Sequence, residues 1–118
     1  MQVSKKRVSR KLISQFHRLL EQVIADIHRP KEAQEFFKDF LSKTELEILT
    51  RRLGIAYYLD KNHSYQTIKN KLGVSSATIA TVNEQMRKNG FQIAMEKIKA
   101  DEWASRWAKK IGQALGKR

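Results

Sequence analysis

The chain has 118 residues, with 24 Lys plus Arg against 12 Asp plus Glu and a formal net charge of +12. This length suits a single domain with a modest core, and this charge favours a polyanionic partner, nucleic acid before an anionic membrane surface. The absence of cysteine excludes disulfides and thiolate metal sites, and it fits a reducing cytoplasm.

The first residues form a basic arm, 1–11, that contains no acidic residue. Two interpretations stay open: the arm clamps DNA phosphates, or it is a solvated terminus that adds only non-specific charge. No apolar run of signal-peptide or membrane-spanning length follows it. We therefore expect a soluble, cytoplasmic protein with no membrane partner.

The remaining pattern predicts an all-α protein of six helices. Helix 1 is expected over about 5–27, because apolar residues recur on one face, and helix 2 over about 31–41, after Pro30. Ser42 and Glu45 form a capping box that starts helix 3, which runs to about Asp60. The pattern then predicts a turn at 61–63, helix 4 over 65–72, helix 5 from Val74 or Ser75 to Asn89-Gly90, and helix 6 over 91–115.

Residues of about 64–88 have the pattern of a helix-turn-helix. Gly73 is placed to form the turn, and a set of apolar residues would hold the two helices together: Ile68, Leu72, Val74, Ile79 and Val82. The outward residues of helix 5 are small and polar: Ser75, Ser76, Thr78 and Thr81. Such a helix can enter the DNA major groove, so this basic chain is predicted to bind double-stranded DNA.

Helices 1 and 6 are long and amphipathic for a chain of this size, and Trp103 and Trp107 lie four residues apart on helix 6. The two rings are interpreted as core or dimer interface. A second subunit would cover the apolar faces that remain, which predicts a two-fold homodimer with two reading helices one DNA turn apart.

The segment LSKTELEILTRRLGIAYYLDKNHSYQTIKNKLGVSSATIATVNE, from Leu41 onward, resembles the Trp repressor superfamily, and within it the uncharacterised Trp-repressor-like branch. The resemblance rests on the Ser42 helix start, on Arg52, on the Ile-Lys-Asn-Lys-Leu-Gly turn and on Ala-Thr-Ile followed by Val-Asn. It implies an all-helical, intertwined homodimer that binds operator DNA and represses transcription, as one Trp-repressor-like domain over 1–118.

The resemblance also implies which residues meet DNA: Lys69, Ser76, Ala77, Thr78 and Ala80, with Tyr65 and Gln66 close by. From the residues themselves we expect Ser75, Ser76 and Thr78 to contact base edges or phosphates and Ala77 to contact a thymine methyl. Lys69, Lys71 and Arg87 are the candidate phosphate contacts, and Thr81 is outward on the same helix.

A possible effector pocket would involve Ser42, Arg52, Thr81 and Val82. Arg52 matches one of the two arginines that hold tryptophan in the Trp repressor, but Thr81 occupies the position of the other. Val82 stands where the family has a glycine against the indole, so the resemblance argues against tryptophan as corepressor. Another effector, or none, stays open, and Arg52 can instead pair with Glu45, Glu47 or an acid of the second subunit.

Three histidines lack metal-ligand spacing, and no catalytic constellation or phosphate-binding glycine loop is present. The sequence therefore predicts no enzyme, no metal and no cofactor. Two alternatives to a sequence-specific regulator stay open: a helical protein-interaction module and a non-specific nucleic-acid binder driven by charge alone.

Overall fold

The computed structural model describes residues 7–116, and these residues form an all-α protein of six helices, as predicted. The helices are α1 Arg10–Asp26, α2 Pro30–Phe40, α3 Lys43–Asp60, α4 Tyr65–Leu72, α5 Ser76–Gln85 and α6 Asn89–Gly116. The contacts divide the chain into two compact units, Met1–Leu46 and Glu47–Arg118. One domain over 1–118 stays a prediction.

The first unit begins with α1, whose start is set by a serine cap. Ser9 is the N-cap, and its Oγ accepts a hydrogen bond from the backbone N–H of Leu12 at 3.3 Å. The predicted start at Lys5 lies outside the described residues, and Arg7 and Val8, which are described, precede the helix. Helix α1 therefore begins after Ser9, because the serine side chain accepts a hydrogen bond from an N–H group of the first turn. The described residues of the basic arm before this cap are not helical.

The second helix starts at a proline and has an aromatic side. Pro30 is its first residue, where a missing N–H breaks no hydrogen bond. The rings of Phe36 and Phe40, one turn apart, stack with centroids 4.9 Å apart. The backbone N–H of Leu41 donates to the Phe37 carbonyl, and this closes the helix one residue before the predicted end.

The capping box predicted at the start of α3 is present. The Ser42 N–H donates to Glu45 Oε1 at 2.8 Å, and the Glu45 N–H donates to Ser42 Oγ at 3.1 Å. The backbone N–H of Ser42, followed by its hydroxyl, lowers the pKa of the Glu45 carboxyl, because both hydrogen bonds favour the ionised form.

The second unit contains the buried core, which consists of Ile55, Ala56, Ile68, Ile79, Val82 and Met95. Leu72 and Val74 pack against this core, as the sequence predicts. The approach of α3 to α4 is close, because a Cβ added to Gly54 would lie 3.1 Å from Leu72 Cδ1. Glycine at this position lets the two helices meet without displacing the leucine.

The boundary between α5 and α6 differs from the prediction, which ended α5 at Asn89-Gly90. In the structure α5 ends at Gln85, and Asn89 and Gly90 are the first residues of α6. The side-chain amide of Gln92 donates to the Met86 carbonyl at 2.6 Å. This hydrogen bond satisfies a carbonyl that the end of α5 leaves without a helical partner, so the chain turns before it reaches the glycine.

The last helix is attached to the end of α3 by polar contacts. Tyr57 donates a hydrogen bond to Glu102 Oε2 at 3.4 Å, and Lys61 forms an ion pair with the same carboxylate at 3.4 Å. Trp103 and Trp107 lie on another side of α6 and are 58% and 49% exposed. Placing these two rings in the core of a single chain is therefore wrong, whereas their place in a dimer interface stays a prediction.

Candidate nucleic-acid interface

Helices α4 and α5 begin with the same local structure. Ser64 Oγ accepts the Thr67 N–H at 3.2 Å and donates to Thr67 Oγ1 at 2.9 Å. In α5, Ser75 Oγ accepts the Thr78 N–H at 3.1 Å and lies 2.9 Å from Thr78 Oγ1. Both helices therefore have a Ser-x-x-Thr cap, which satisfies one N–H of the first turn and holds the two hydroxyls side by side.

The turn between these helices depends on Gly73. Its φ of +63° lies in the left-handed region, and its N–H donates to the Lys69 carbonyl at 2.9 Å. This conformation costs an L-residue with a side chain roughly 1–2 kcal/mol, whereas glycine adopts it freely. Gly73 is therefore confirmed as the turn residue, and it connects α4 to the serine cap of α5.

The buried side of α5 determines which residues of the helix face outward. Ile79 is fully buried and Val82 is 4% exposed, both in the core of the second unit. On the remaining surface, Ser75, Ser76, Ala77, Thr78 and Thr81 are all exposed. The outward surface of α5 is therefore small and polar over its first two turns, which allows close approach of a partner.

The other residues predicted at the interface differ in their surroundings. Tyr65, Gln66 and Lys71 are exposed, whereas Lys69 and Ala80 are half-buried. Lys71 Nζ lies 5.1 Å from the centroid of the Tyr58 ring, in a cation–π arrangement. Its ammonium group is therefore held against α3 in this structure.

Two predicted residues are joined to their neighbours by hydrogen bonds. Asn83 Nδ2 donates to the Tyr65 hydroxyl at 3.3 Å, which connects α5 to the start of α4. The Thr81 hydroxyl donates to the Ala77 carbonyl at 3.0 Å. The Thr81 hydroxyl proton is thus directed at its own helix, although the side chain is exposed.

Two arginines from α3 lie beside the start of α5. Arg51 and Arg52 line a cavity of about 300 Å³ together with Ser75, Thr78 and Val82. Sequence reasoning included Arg52 but missed Arg51, although the Arg-Arg pair was visible in the sequence. Adjacent residues of a helix point in different directions, so only the tertiary structure shows that both arginines reach this cavity.

The start of α5 is therefore electropositive for two reasons. The N–H groups of a first helical turn lack intrahelical acceptors, and the cap takes up only that of Thr78. The helix dipole adds a partial positive charge at the same end, beside the cavity that Arg51 and Arg52 line. An anionic group such as a phosphate is the ligand that this arrangement favours.

Three of the four residues of the possible effector pocket belong to the second unit. Arg52, Thr81 and Val82 line an open cavity of about 320 Å³ with Gln85 and Phe91 in the second unit. Ser42, by contrast, belongs to the first unit, where its hydroxyl is engaged in the capping box. The ion pairs of residues 7–116 join Lys61 to Glu102 and Lys99 to Asp60, so pairing of Arg52 with Glu45 or Glu47 is not seen within that part of the chain.

Two other kinds of site do not occur over the same residues. No group of three or more metal-ligating side chains comes together within 7–116. None of the helices described over this range is long and apolar enough to cross a membrane.

The fold and the site have the features of a helical DNA-binding regulator, and comparison with known proteins agrees with this class. The family model described as Trp repressor protein matches residues 14–99, well over half of the chain. The protein therefore belongs to the Trp repressor family, a family of non-enzymatic, DNA-binding regulators of transcription. It is also similar to the uncharacterized protein YerC of Bacillus subtilis (strain 168), with 29% identity over 91 residues, which cover 73% of this chain and 88% of the relative.

Proposed function

We propose that this protein is a homodimeric regulator, and in particular a repressor, that reads double-stranded DNA by inserting α5 into the major groove. The observation that carries the proposal is the surface of α5. One side is buried by Ile79 and Val82, and the other presents small polar side chains beside Arg51 and Arg52. Small side chains let the helix approach the base edges, while the adjacent cations suit the phosphates.

The proposed contacts follow from this placement. Ser75, Ser76 and Thr78 meet base edges or phosphates at the start of α5, and Ala77 meets a thymine methyl. The preceding helix supplies Lys69, Lys71, Tyr65 and Gln66, and α5 adds Ala80 and Thr81 further along. Lys71 would have to leave the Tyr58 ring to reach a phosphate, so we assign the larger electrostatic contribution to Lys69.

The homodimer is supported by the exposed apolar side of α1. None of the residues of this helix is buried, and Phe16 and Leu19 are 59% and 58% exposed. With α2, the helix forms a groove of about 510 Å³ lined by apolar side chains and His17. A second subunit would remove these side chains from water and would place two α5 helices about 34–36 Å apart, on successive turns of one DNA face.

We infer further that tryptophan is not the corepressor. Val82 is 4% exposed and packs in the core, and the Thr81 hydroxyl donates to the Ala77 carbonyl. An indole would have to displace the valine, and threonine offers a carboxylate no bidentate partner. The protein is expected to act in the cytoplasm with the DNA it reads, without a bound cofactor.

The test is fluorescence anisotropy with the labelled duplex from upstream of the gene and with a scrambled duplex of equal length. The measurement is made at low and physiological salt, with and without tryptophan. Preference for the upstream duplex at physiological salt, unchanged by tryptophan, supports the proposal. Equal binding to both duplexes that vanishes with salt would leave only charge-driven association, and absence of binding would favour the protein-interaction module.

A further inference from the structure

Helix α6 has two apolar sides, and only one of them is covered. Met95 is 3% exposed in the core, and Ile98 packs against it. A second stripe follows on a different side of the helix, and its members are 49–61% exposed: Ile93, Trp103, Trp107, Ile111 and Leu115. This second set of five residues is called the tryptophan stripe below. An exposed stripe of this length on a helix indicates a docking surface.

Most of the tryptophan stripe lies outside the part of the chain that the family model matches. The match ends at residue 99, whereas α6 continues to Gly116. Cations border the middle of the stripe, because Arg106 precedes Trp107 and Lys110 precedes Ile111, whereas the residue before Trp103 is Glu102, which pairs with Lys61. Lys110 Nζ lies 5.6 Å from the centroid of the Trp107 ring, so charge and aromatic surface are contiguous. The partner of this helix should therefore combine acidic and apolar groups.

The chain itself contains a surface of that kind on α2. There Glu35 precedes Phe36 and Asp39 precedes Phe40, so acidic and aromatic side chains alternate in the same way at the same spacing. These four residues, with Glu32, line one open cavity of the first unit. Phe40 is 61% exposed and Phe36 is half-buried, so Phe40 supplies most of the aromatic surface that faces solvent. We call Glu35, Phe36, Asp39 and Phe40 the acidic face of α2.

Helix geometry defines how the two surfaces would fit. On each helix the charged residue comes one position before the apolar residue, and the pair recurs four residues later, close to one turn. Because the order is the same on both helices, their charged edges lie on the same side only when the helices face each other antiparallel. In that arrangement Glu35 lies opposite Lys110 and Asp39 lies opposite Arg106, with aromatic rings between the helices.

We propose that the tryptophan stripe docks antiparallel on the acidic face of α2 of a second copy of this chain. The proposal rests on the homodimer of the proposed function and names a contact that stabilises it. A two-fold pair of chains makes this contact twice, which joins complementary charges and covers aromatic surface on both helices. A second copy is favoured over an anionic membrane because the chain carries an acidic, aromatic complement at matching spacing.

The test is exchange of charge between the two surfaces in the full-length protein. Variant A carries Glu35→Lys with Asp39→Lys, and variant B carries Arg106→Glu with Lys110→Glu. Each variant alone places like charges opposite each other at both contacts. When A and B are mixed, a heterodimer can form in which opposite charges face each other again at both contacts. One contact joins the wild-type α6 of A to the wild-type α2 of B, and the other joins the exchanged α6 of B to the exchanged α2 of A. The control variant, Lys38→Glu with Lys109→Glu, changes cations on the same helices that belong to neither set of opposed charges and do not directly precede an apolar residue of either surface.

Two readouts are combined at low salt. Sedimentation equilibrium gives the dissociation constant of the dimer, and intrinsic fluorescence reports the stripe itself, because the only two tryptophans of the chain are Trp103 and Trp107. We expect A and B each to weaken association by about tenfold or more, which corresponds to about 1.4 kcal/mol. Their tryptophan emission should shift to the red. Mixing A with B should restore both values, and the control should match the wild-type protein.

Each other outcome overturns the proposal. Unchanged association and emission in A and B would show that the charges do not meet. Weaker association that is not restored by mixing A with B would place the contact elsewhere. The tryptophan emission is also measured with vesicles of anionic phospholipid, and a shift seen only with these vesicles would place the stripe on a membrane instead of on a second copy. If circular dichroism shows that A or B is unfolded, a single chain with all four substitutions replaces them: wild-type association supports the proposal, and its loss refutes it.

The same data separate this inference from the proposed function. A wild-type protein that stays monomeric would refute both the homodimer and the docking. A wild-type dimer that binds its upstream duplex, with A and B unaffected, would refute only the docking.

Discussion

Replacing Thr78 by alanine tests whether the start of α5 reads bases, because an equivalent threonine exists outside that helix. Thr78 and Thr67 each occupy the third position after a capping serine, and each Oγ1 lies 2.9 Å from the serine Oγ. Thr78→Ala and Thr67→Ala therefore remove the same hydroxyl and the same local hydrogen bond. A neutral hydrogen bond contributes about 0.5–1.5 kcal/mol to stability, so both variants should lose a similar, small amount.

The effect on DNA binding should differ between the two variants. Thr78 is exposed at the electropositive end of α5, and loss of a base-edge contact costs about 1–3 kcal/mol per half-site. Affinity for the specific duplex should therefore fall about 5- to 150-fold per half-site, while affinity for a scrambled duplex stays the same. Anisotropy titrations on both duplexes, with thermal unfolding of each variant, make the comparison. Equal losses on both duplexes, or equal effects of Thr67→Ala, would refute the assignment.

Three further predictions concern charge, pH and backbone conformation. Lys69→Ala should weaken binding to all duplexes and lower the slope of log Kd against log salt by about one, whereas Lys99→Ala, at an ion pair with α3, should leave the slope unchanged. The pKa of Glu45 is lowered in the folded state, so its stabilising contribution is present above the ordinary glutamate pKa of 4.5 and is lost as the pH falls through the folded value; Glu45→Gln should remove this pH dependence in thermal unfolding. Gly73→Ala should destabilise the protein by about 1–2 kcal/mol, whereas Gly90→Ala, where an added Cβ meets open space, should stabilise it by about 0.4–1 kcal/mol in denaturant titrations.

The sequence allowed correct prediction of elements whose ends depend on local chemistry. The capping box of Ser42 and Glu45 and the left-handed turn at Gly73 use contacts within four residues of the chain. Such contacts leave a readable pattern, because a serine three residues before a glutamate or a glycine after a periodic segment has few other structural explanations.

The sequence did not predict correctly those features that depend on packing between distant parts of the chain. Asn89-Gly90 is a common helix stop, yet it begins α6, because α5 has already ended at Gln85 and Phe91 packs against the core. Likewise Arg51 could not be placed beside the start of α5 until the packing of α3 was known. Trp103 is exposed because the other apolar side of α6, with Met95, packs against the core. Helical periodicity shows that α6 has two apolar sides, but it does not indicate which of them is buried.

The central claim is that a dimer reads a DNA sequence with α5, and selection from a library of random duplexes tests it most directly. The full-length protein is used at physiological salt, and the bound duplexes are sequenced. The account predicts enrichment of two inverted half-sites about one helical turn apart, which Thr78→Ala abolishes and Thr67→Ala retains. Recovery of unenriched sequences by the wild-type protein would contradict the account.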